Sequence, residues 1–253
     1  MTPEILQVFL KNNCFIFHSE YGKKGVELTT AQRLKNQITK GAWEVTSFFG
    51  YQEKTREVYY ASVEPGSTER AVYSIKLNGS RKRSLSPENG TNGVAFSADY
   101  SYYIHTFEDS NTPTQYNLRS TKTGKVIRPI EDNISLKTKL TDYIISEKKF
   151  SKIKVNGNNL NMWMIKPKDF DPSKKYPVIE DMYAGPHDSY VPKQFSAGRR
   201  FSSYTDMGFV VVKIDGMGTA NRSKAFHDVC WKNLKDSGFP DRILWHKAYA
   251  KNN

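Results

Sequence analysis

Three aromatic-rich segments recur at nearly constant spacing in the first half of this 253-residue chain. Each has the composition of a β-strand and ends in an acidic residue, and these acidic residues are 44 and 45 positions apart. The segments are FIFHSE (15–20), VYYASVE (58–64) and YYIHTFED (102–109). A turn, another strand pattern and a Gly-bearing turn, at Asn78-Gly79 or Thr123-Gly124, follow the latter two. A period of about 40 to 50 residues with several short strands per unit is typical of β-propeller blades.

Only part of such a propeller fits into this region. Three units precede Pro129, whereas a closed propeller needs about four to eight blades, so we expect further blades upstream. The first unit is also degraded, because VELTTAQRLK lacks the turn glycine of its neighbours. The sequence predicts an incomplete, all-β set of propeller blades over residues 1–135. An irregular β-sandwich with accidental spacing is the alternative.

Beyond residue 135 the pattern changes to strands that alternate with helices. Asn156-Gly157 is a favoured tight-turn dipeptide, so the apolar segments around it predict a hairpin over 150–166. Strand, helix, strand and helix in succession predict a mostly parallel sheet with flanking helices and right-handed crossovers. The predicted elements are a strand in YPVIEDMY (176–183), a crossover helix in SAGRRFSSYTDM (196–207), a buried strand in GFVVVKIDG (208–216) and a helix opened by Pro240 that stacks Trp245 on Tyr249.

The composition is that of a globular protein with an excess of positive charge. Hydrophobic residues make up 38% of the chain, enough for a core. Lys and Arg outnumber Asp and Glu by 38 to 26, which would suit an anionic partner. The basic clusters SRKRS (80–84) and DPSKKYP (171–177) lie in turn-like sequence, however, and read as solvated loops. We therefore expect no nucleic-acid partner; a nucleic-acid-binding protein would show strongly salt-dependent retention on DNA.

Targeting and redox signals are weak. No stretch approaches the roughly 20 apolar residues of a membrane-spanning helix, and MTPEILQVFLKNN lacks the basic start and cleavage site of a signal peptide. Cys14 and Cys230 lie far apart in sequence, so they predict no disulfide framework and leave the compartment open.

Cofactor and metal patterns are incomplete. DGMGTAN (215–221) contains a Gly-x-Gly after a strand, but Asn221 occupies the third small-residue position and no strand ending in an acid follows. His227 and Cys230 are three positions apart, whereas a structural zinc site usually needs about four ligands. We expect no cofactor and no metal. A Gly-x-Ser-x-Gly nucleophile elbow does not occur in the chain.

Several joined motifs resemble a known family. KKYPVIEDMYAGP, GFVVVKIDGMGTANRSKAFHD and GFPDRILWHKA resemble the opening of the catalytic domain in the dipeptidyl peptidase IV branch of the prolyl oligopeptidase family of serine peptidases. ITKGAWEVTSFFGY, VYYASVEPGSTERAVYSI, GTNGVAFSADYSYYIHTFEDSNTP and NMWMIKPKDFDPSKKYP resemble its last propeller blades and the junction. The resemblance implies C-terminal propeller blades over residues 1–135 and the N-terminal portion of an α/β-hydrolase domain over residues 136–253, truncated before the nucleophile elbow.

The resemblance also implies one site residue. In the family, a tyrosine of the Tyr-Ala-Gly-Pro turn donates its hydroxyl to the oxyanion hole, and Tyr183 occupies the matching position. The alternative is that Tyr183 only packs a corner between strand and loop. The nucleophilic Ser and the Asp and His of the triad are absent from the chain. Met217 stands where many relatives have arginine, so the role of that arginine does not transfer.

The function implied by the resemblance is that of a serine exopeptidase. The parent would cleave short peptides or N-terminal dipeptides, with Xaa-Pro preferred, through a Ser-Asp-His triad and an acyl-enzyme. The family's glutamates that grip the substrate amino terminus lie upstream of residue 1. We expect this chain alone to be inactive; the alternative is a non-catalytic β-rich interaction module or a pseudo-enzyme remnant.

Assembly and location are expectations of the same kind. The full-length parent is compatible with a homo-oligomer, and the fragment is expected to self-associate through unpaired strand edges. The family implies a periplasmic, extracellular or membrane-anchored parent, although this chain itself carries no localisation signal.

Overall fold

The structure is a computed structural model that describes residues 5–11, 14–20, 38–41, 43–86, 89–183, 185–197, 199–235 and 237–252. The strands are β1 (Ile5–Lys11), β2 (Cys14–Glu20), β3 (Val45–Gln52), β4 (Glu57–Ser62), β5 (Ala71–Lys76), β6 (Arg83–Ser84), β7 (Thr91–Phe96), β8 (Tyr102–Glu108), β9 (Gln115–Ser120), β10 (Val126–Glu131), β11 (Lys148–Val155), β12 (Asn158–Ile165), β13 (Val178–Glu180) and β14 (Val210–Asp215). The helices are α1 (Ile134–Leu140), α2 (Arg199–Asp206), α3 (Lys224–His227) and α4 (Phe239–Asn252), and a 3-10 turn follows α3 at Asp228–Cys230.

The sequence repeat corresponds to the second strand of each antiparallel unit. The three repeated segments form β2, β4 and β8. Strands β3 to β6 form one four-stranded antiparallel sheet in chain order and strands β7 to β10 form another, which we call the first and second blade sheets. The prediction of short four-stranded units is therefore confirmed for these two. In the first unit β1 pairs with β2, and the whole segment VELTTAQRLK (26–35) lies outside the described residues.

The two blade sheets pack face to face through aromatic side chains. Tyr59 and Tyr103 are almost fully buried between the sheets, and the Tyr59 ring stacks on Tyr100 with centroids 5.1 Å apart. The buried Tyr103 hydroxyl donates a hydrogen bond to the Leu85 carbonyl at 2.8 Å, so its polar end is satisfied. Aromatic pairs of this kind contribute beyond the area they bury. The aromatic side chains of the repeat therefore pack the first blade sheet against the second.

A third sheet, which we call the mixed sheet, has the strand order β11-β12-β14-β13. The predicted hairpin is confirmed: β11 and β12 are joined by Asn156 and Gly157, with φ of 47° and 78°, the left-handed values that a two-residue hairpin turn requires. β14 pairs antiparallel with β12. It pairs parallel with β13, as the predicted crossover between these two strands demands.

Strand β13 is shorter than the predicted 176–183. Pro177 precedes it and has no N–H to donate to a ladder. After Glu180 only the Asp181 N–H still bonds to β14, at 2.8 Å from the Val212 oxygen, and the chain then leaves the sheet. The strand therefore ends three residues before Tyr183.

The helices cover the mixed sheet as the sequence predicts. α2 forms the crossover between β13 and β14 and packs Phe201 on Trp163. On α4 the rings of Trp245 and Tyr249 stack with an interplanar angle of 6°, which confirms the predicted i, i+4 pair, and Trp245 is fully buried in the core of the sheet. The sequence did not predict α1, which has no buried residue. Among the described helices, none has the length and apolar character to cross a bilayer.

Candidate active site

Tyr183 lies beyond the carboxyl end of β13, where the parallel strands β13 and β14 finish. Ligands of open α/β sheets bind at this edge. The side chain of Tyr183 is 52% exposed, and its ring meets the rings of Tyr190 and His187 edge-on, with centroids 4.7 and 5.8 Å apart. The phenol is therefore oriented by two neighbouring rings and remains open to solvent.

The glycine of the Tyr-Ala-Gly-Pro turn makes this clustering possible. A Cβ on Gly185 would lie 2.9 Å from ring atoms of both Tyr183 and His187. The Tyr190 hydroxyl donates to the Gly185 carbonyl at 3.1 Å. Burial raises the pKa of Tyr190 to about 12, so this hydroxyl stays protonated at neutral pH and can keep donating.

Residues 185–191, which we call the tyrosine loop, are tied to β14 at one end and to α3 at the other. The carboxylate of Asp215, the last residue of β14, accepts the N–H groups of Tyr190 and Val191 at 2.8 and 3.1 Å. At the other end His227 Nε2 lies 2.9 Å from the Pro186 carbonyl oxygen and donates to it. The loop that follows Tyr183 is therefore a braced segment.

A cavity of about 870 Å³ separates the blade sheets from the mixed sheet, and we call it the inter-lobe cavity. Its walls carry charged and amide side chains from both sides: Glu44, Arg70, Asn92, His187, Asp188 and Asn221. Because His187 lines the cavity and its ring touches Tyr183, the phenol lies beside the cavity.

A buried ion pair anchors β13 to α4. Glu180, the last residue of β13, pairs with Arg242, whose side chain is 3% exposed. The second carboxylate oxygen of Glu180 lies 2.8 Å from His246 Nε2. On the other side of the sheet edge Lys213 bonds to Asp181 at 2.7 Å. These charges fix the direction in which the chain leaves β13 toward Tyr183.

The Gly-x-Gly after β14 is explained by close backbone packing. A Cβ on Gly216 would lie 3.2 Å from the Cα and carbonyl oxygen of Gly238. A Cβ on Gly218, whose φ is 97°, would lie 1.9 Å from Ser237 Oγ. These glycines let the end of β14 approach the turn before α4, which is a structural role that requires no nucleotide.

The remaining predicted candidates have local partners. Met217 packs against the core of the mixed sheet, and its N–H donates to Asp241 at 3.2 Å. His227 bonds to the tyrosine loop, and Cys230 is a buried free thiol. Across the described ranges of the chain, no three His, Cys, Asp or Glu side chains are grouped as a metal site would require.

Sequence reasoning missed the residues that bridge the cavity: Arg70, Asp188 and Asn221. Arg70 Nη2 lies 3.3 Å from Asp188 Oδ1, and Asn221 Nδ2 donates to the same oxygen at 2.7 Å. Arg70 and Asp188 are 118 positions apart, so no local spacing could have paired them. The left-handed φ of 66° at Asn221 marks a special backbone position that the sequence only hints at.

Two family models match parts of this chain. Residues 3–114 match the family model described as "Dipeptidyl peptidase IV (DPP IV) N-terminal region", and residues 194–253 match "Prolyl oligopeptidase family". The chain is 30% identical over 218 residues to a probable dipeptidyl-aminopeptidase B of Trichophyton verrucosum and 31% identical over 227 residues to a dipeptidyl peptidase 4 of Arthroderma otae. Both alignments cover 85% of this chain, and they cover 24% and 28% of the relatives.

The solved structures give the same result. The crystal structure of Porphyromonas gingivalis dipeptidyl peptidase 4 matches 96% of this chain with a TM-score of 0.79 and 32% identity. A putative dipeptidyl aminopeptidase IV from Bacteroides ovatus, at 22% identity and a TM-score of 0.75, shows the fold alone. The chain spans about a quarter of the length of the curated relatives and about a third of that of the solved ones.

These matches run through the blade sheets and the mixed sheet alike. They confirm the predicted fold class, propeller blades followed by the start of a hydrolase domain. The chain belongs to the dipeptidyl peptidase IV-like branch of the prolyl oligopeptidase family.

Proposed function

We propose that this chain is part of a serine exopeptidase that removes N-terminal dipeptides, preferably of the Xaa-Pro type, from short peptides. The names of the relatives, which are dipeptidyl peptidases, support this class. The observation that carries the proposal is the half-exposed phenol of Tyr183, which stands at the carboxyl end of β13 beside the inter-lobe cavity.

Tyr183 donates its hydroxyl to the oxygen of the scissile carbonyl as negative charge develops there. Because the rings of His187 and Tyr190 flank the phenol and the loop that carries them is braced, the donor needs little reorganisation during the reaction. A serine on the strand that follows α4 attacks the carbonyl carbon and forms an acyl-enzyme, which water then hydrolyses. In the described part of the chain β13 pairs with β14 on one side only, so its other edge can receive that strand.

The domain assignment follows the same logic. Residues 1–135 contribute propeller blades and residues 136–253 contribute the first strands and helices of the hydrolase domain. The inter-lobe cavity lies between them, and its volume is in the range of about 300 to 1,000 Å³ that is usual for ligand pockets. Its mixture of carboxylate, guanidinium and amide groups suits the polar backbone of a short peptide.

The first experiment uses the purified 253-residue chain with a fluorogenic Xaa-Pro substrate. We expect no turnover, since the serine, aspartate and histidine of the triad are proposed to lie beyond residue 253. Turnover by this chain would contradict the proposal. Reading the encoding DNA past Asn253 gives the second check: a Gly-x-Ser-x-Gly codon pattern supports the peptidase, whereas its absence favours a non-catalytic β-rich module.

The second experiment changes Tyr183→Phe in the full-length protein. Loss of one oxyanion donor is expected to lower kcat by about 100-fold with little change in KM. Tyr176→Phe is the matched control, because the Tyr176 hydroxyl accepts the N–H of Asp171 at 2.8 Å away from the cavity. An unchanged kcat for Tyr183→Phe would leave Tyr183 with only a packing role.

A further inference from the structure

We propose that Arg70 is a positioning residue for Tyr183: from the blade sheets it reaches across the inter-lobe cavity and fixes the tyrosine loop through Asp188 and Ser189. Its catalytic consequence rests on the proposed function, whereas the mechanical coupling itself does not. The coupling makes the placement of the oxyanion donor depend on how the blades sit on the mixed sheet.

The start of the second blade sheet holds the backbone of Arg70, which directly precedes β5 of the first blade sheet. Its N–H donates to the Gly90 carbonyl at 2.9 Å, and its own carbonyl accepts the N–H of Asn92 at 3.0 Å and Asn92 Nδ2 at 2.8 Å. Arg70 also forms a parallel bridge with Thr91, the first residue of β7. The residue is therefore fixed at the junction between the first and second blade sheets.

The guanidinium of Arg70 makes hydrogen bonds to both sides of the inter-lobe cavity. Its Nη1 donates to the carbonyls of Ser67 and Glu69 at 3.2 and 2.9 Å, which secures it to the blade side. Its Nη2 lies 3.3 Å from both Asp188 Oδ1 and Ser189 Oγ. The Arg70 side chain is 16% exposed and that of Asp188 is 54% exposed, so the charge-assisted bond is shielded from water on the guanidinium side only.

Asp188 is the point where contacts from both sides converge. Its Oδ1 also accepts Asn221 Nδ2 at 2.7 Å and the N–H of Ser189 at 2.8 Å. The backbone N–H of Asn221 donates to Glu44 Oε2 of the blade side at 3.0 Å. Arg70 contacts Asp188 directly and Glu44 acts through Asn221, so the blades hold the loop at one node by two routes.

The tyrosine loop transmits this contact to Tyr183 because its other ties leave it little freedom. Asp215 holds Tyr190, and His227 holds Pro186. The Tyr190 ring touches the ring of Tyr183 and its hydroxyl bonds to Gly185. A displacement of Asp188 therefore moves Tyr190 and Tyr183 together, and a misplacement of about 1 Å can cost on the order of 100-fold in rate.

Hydrogen exchange followed by mass spectrometry tests the coupling in the 253-residue chain. Arg70→Met is expected to speed exchange in peptides that cover 185–191 by about tenfold, since a charge-assisted tie is lost. Peptides from β4 and β12 should exchange as in the wild type. Arg83→Met is the matched control, because the guanidinium of Arg83 in β6 donates to the Lys122 and Thr121 carbonyls, which follow β9, rather than to the tyrosine loop. Equal protection of 185–191 in Arg70→Met and wild type would overturn the proposal.

A double-mutant cycle separates coupling from general destabilisation. Asp188→Asn keeps an oxygen for Asn221 but loses the charge that Arg70 meets. If the pair acts as one tie, the double variant Arg70→Met/Asp188→Asn exchanges no faster in 185–191 than the faster single variant. Additive effects of the two changes would overturn the proposal. Arg70→Met could not be used if it unfolded the chain, which would appear as fast exchange in β4 and β12. In that case exchange in 185–191 is compared between Arg70→Lys and Asp188→Asn, and wild-type protection in both would overturn the proposal.

In the full-length protein, Arg70→Met is expected to lower kcat by about tenfold with KM nearly unchanged, and Arg70→Lys to recover part of the loss. If Tyr183→Phe lowers kcat but Arg70→Met leaves hydrogen exchange in 185–191 as in the wild type, only the positioning role of Arg70 is overturned. If Tyr183→Phe leaves kcat unchanged but Arg70→Met speeds exchange in 185–191, the proposed function is overturned and the mechanical coupling is supported.

Discussion

The carboxylate of Asp215 accepts the backbone N–H of Tyr190 at 2.8 Å, and this contact joins the end of β14 to the tyrosine loop. Asp215 is 1% exposed. Burial raises its pKa to about 6, although the N–H groups of Tyr190 and Val191 favour the charged form and oppose the rise. The residue that braces the candidate site therefore titrates near physiological pH.

We predict that Asp215 makes the chain less stable as pH rises from 4 to 7. The folded-state pKa lies above the unfolded value of about 3.9, so the folded chain binds this proton more tightly. The stabilisation is fully present below pH 4 and is lost as pH rises through 6; a shift of about two units corresponds to about 3 kcal/mol. The measurement is the urea midpoint as a function of pH from 4 to 7.5. In Asp215→Asn the decrease in stability that Asp215 causes over this range should be absent. Asp206→Asn, a change of an exposed aspartate on α2, is the control and should still show the decrease. A pH profile of Asp215→Asn that matches the wild type would contradict the prediction.

His105 should act with the opposite sign. It is fully buried in β8, its Nε2 lies 2.8 Å from Asn92 Oδ1, and burial lowers its pKa to about 4. The folded chain therefore binds this proton less tightly than the unfolded chain, whose histidine has a pKa of about 6.5. The stabilisation is fully present above pH 6.5 and is lost as pH falls through 4.

The measurement is the urea midpoint of His105→Gln from pH 4 to 7.5, set against that of the wild type. The His105→Gln variant should be less destabilised by acid than the wild type, by up to about 3 kcal/mol at the low end. Since His105 and Asp215 change stability in opposite directions over overlapping pH ranges, the wild-type profile alone cannot separate them. A His105→Gln profile parallel to that of the wild type would count against the assignment.

The repeat and the α/β pattern were readable from sequence because they depend on local chemistry. Strand composition, the turn at Asn156-Gly157 and the i, i+4 stack of Trp245 on Tyr249 involve neighbours in the chain. Tyr183 was singled out through a motif, and the structure places its exposed side chain beyond the end of β13. Its role in an oxyanion hole stays a prediction.

The bridge across the cavity could not be read in the same way. Arg70 meets Asp188 because two sheets stack and a third sheet docks on them, a relation that no window of sequence contains. α1 escaped prediction for a different reason: its seven residues are too few to establish a helical period, and none of them is buried. The length of β13 was overestimated because apolar residues continue past the point where its ladder bonds end.

Removing one partner of the Glu180–Arg242 ion pair should destabilise the chain more than removing both partners together. Arg242 is 3% exposed, so Glu180→Ala would leave a buried cation without its carboxylate, at a cost of about 3 to 5 kcal/mol. Replacing both residues, as Glu180→Met/Arg242→Met, should cost much less than the sum of the single changes. Urea unfolding of the three variants measures this, and a double variant as unstable as the sum would show that the pair carries no coupling.

Two tryptophans of the last third of the chain give a matched pair for the core. Trp245 is fully buried and packs on the apolar core of the mixed sheet, whereas Trp231 is 76% exposed. We predict that Trp245→Ala lowers the free energy of unfolding by about 3 to 5 kcal/mol, since it opens a cavity under β12 and β14. Trp231→Ala should change it by less than about 0.5 kcal/mol. Tryptophan fluorescence during urea unfolding reports each variant through the three indoles that remain. Equal losses in the two variants would mean that α4 does not close the core as its stacked rings indicate.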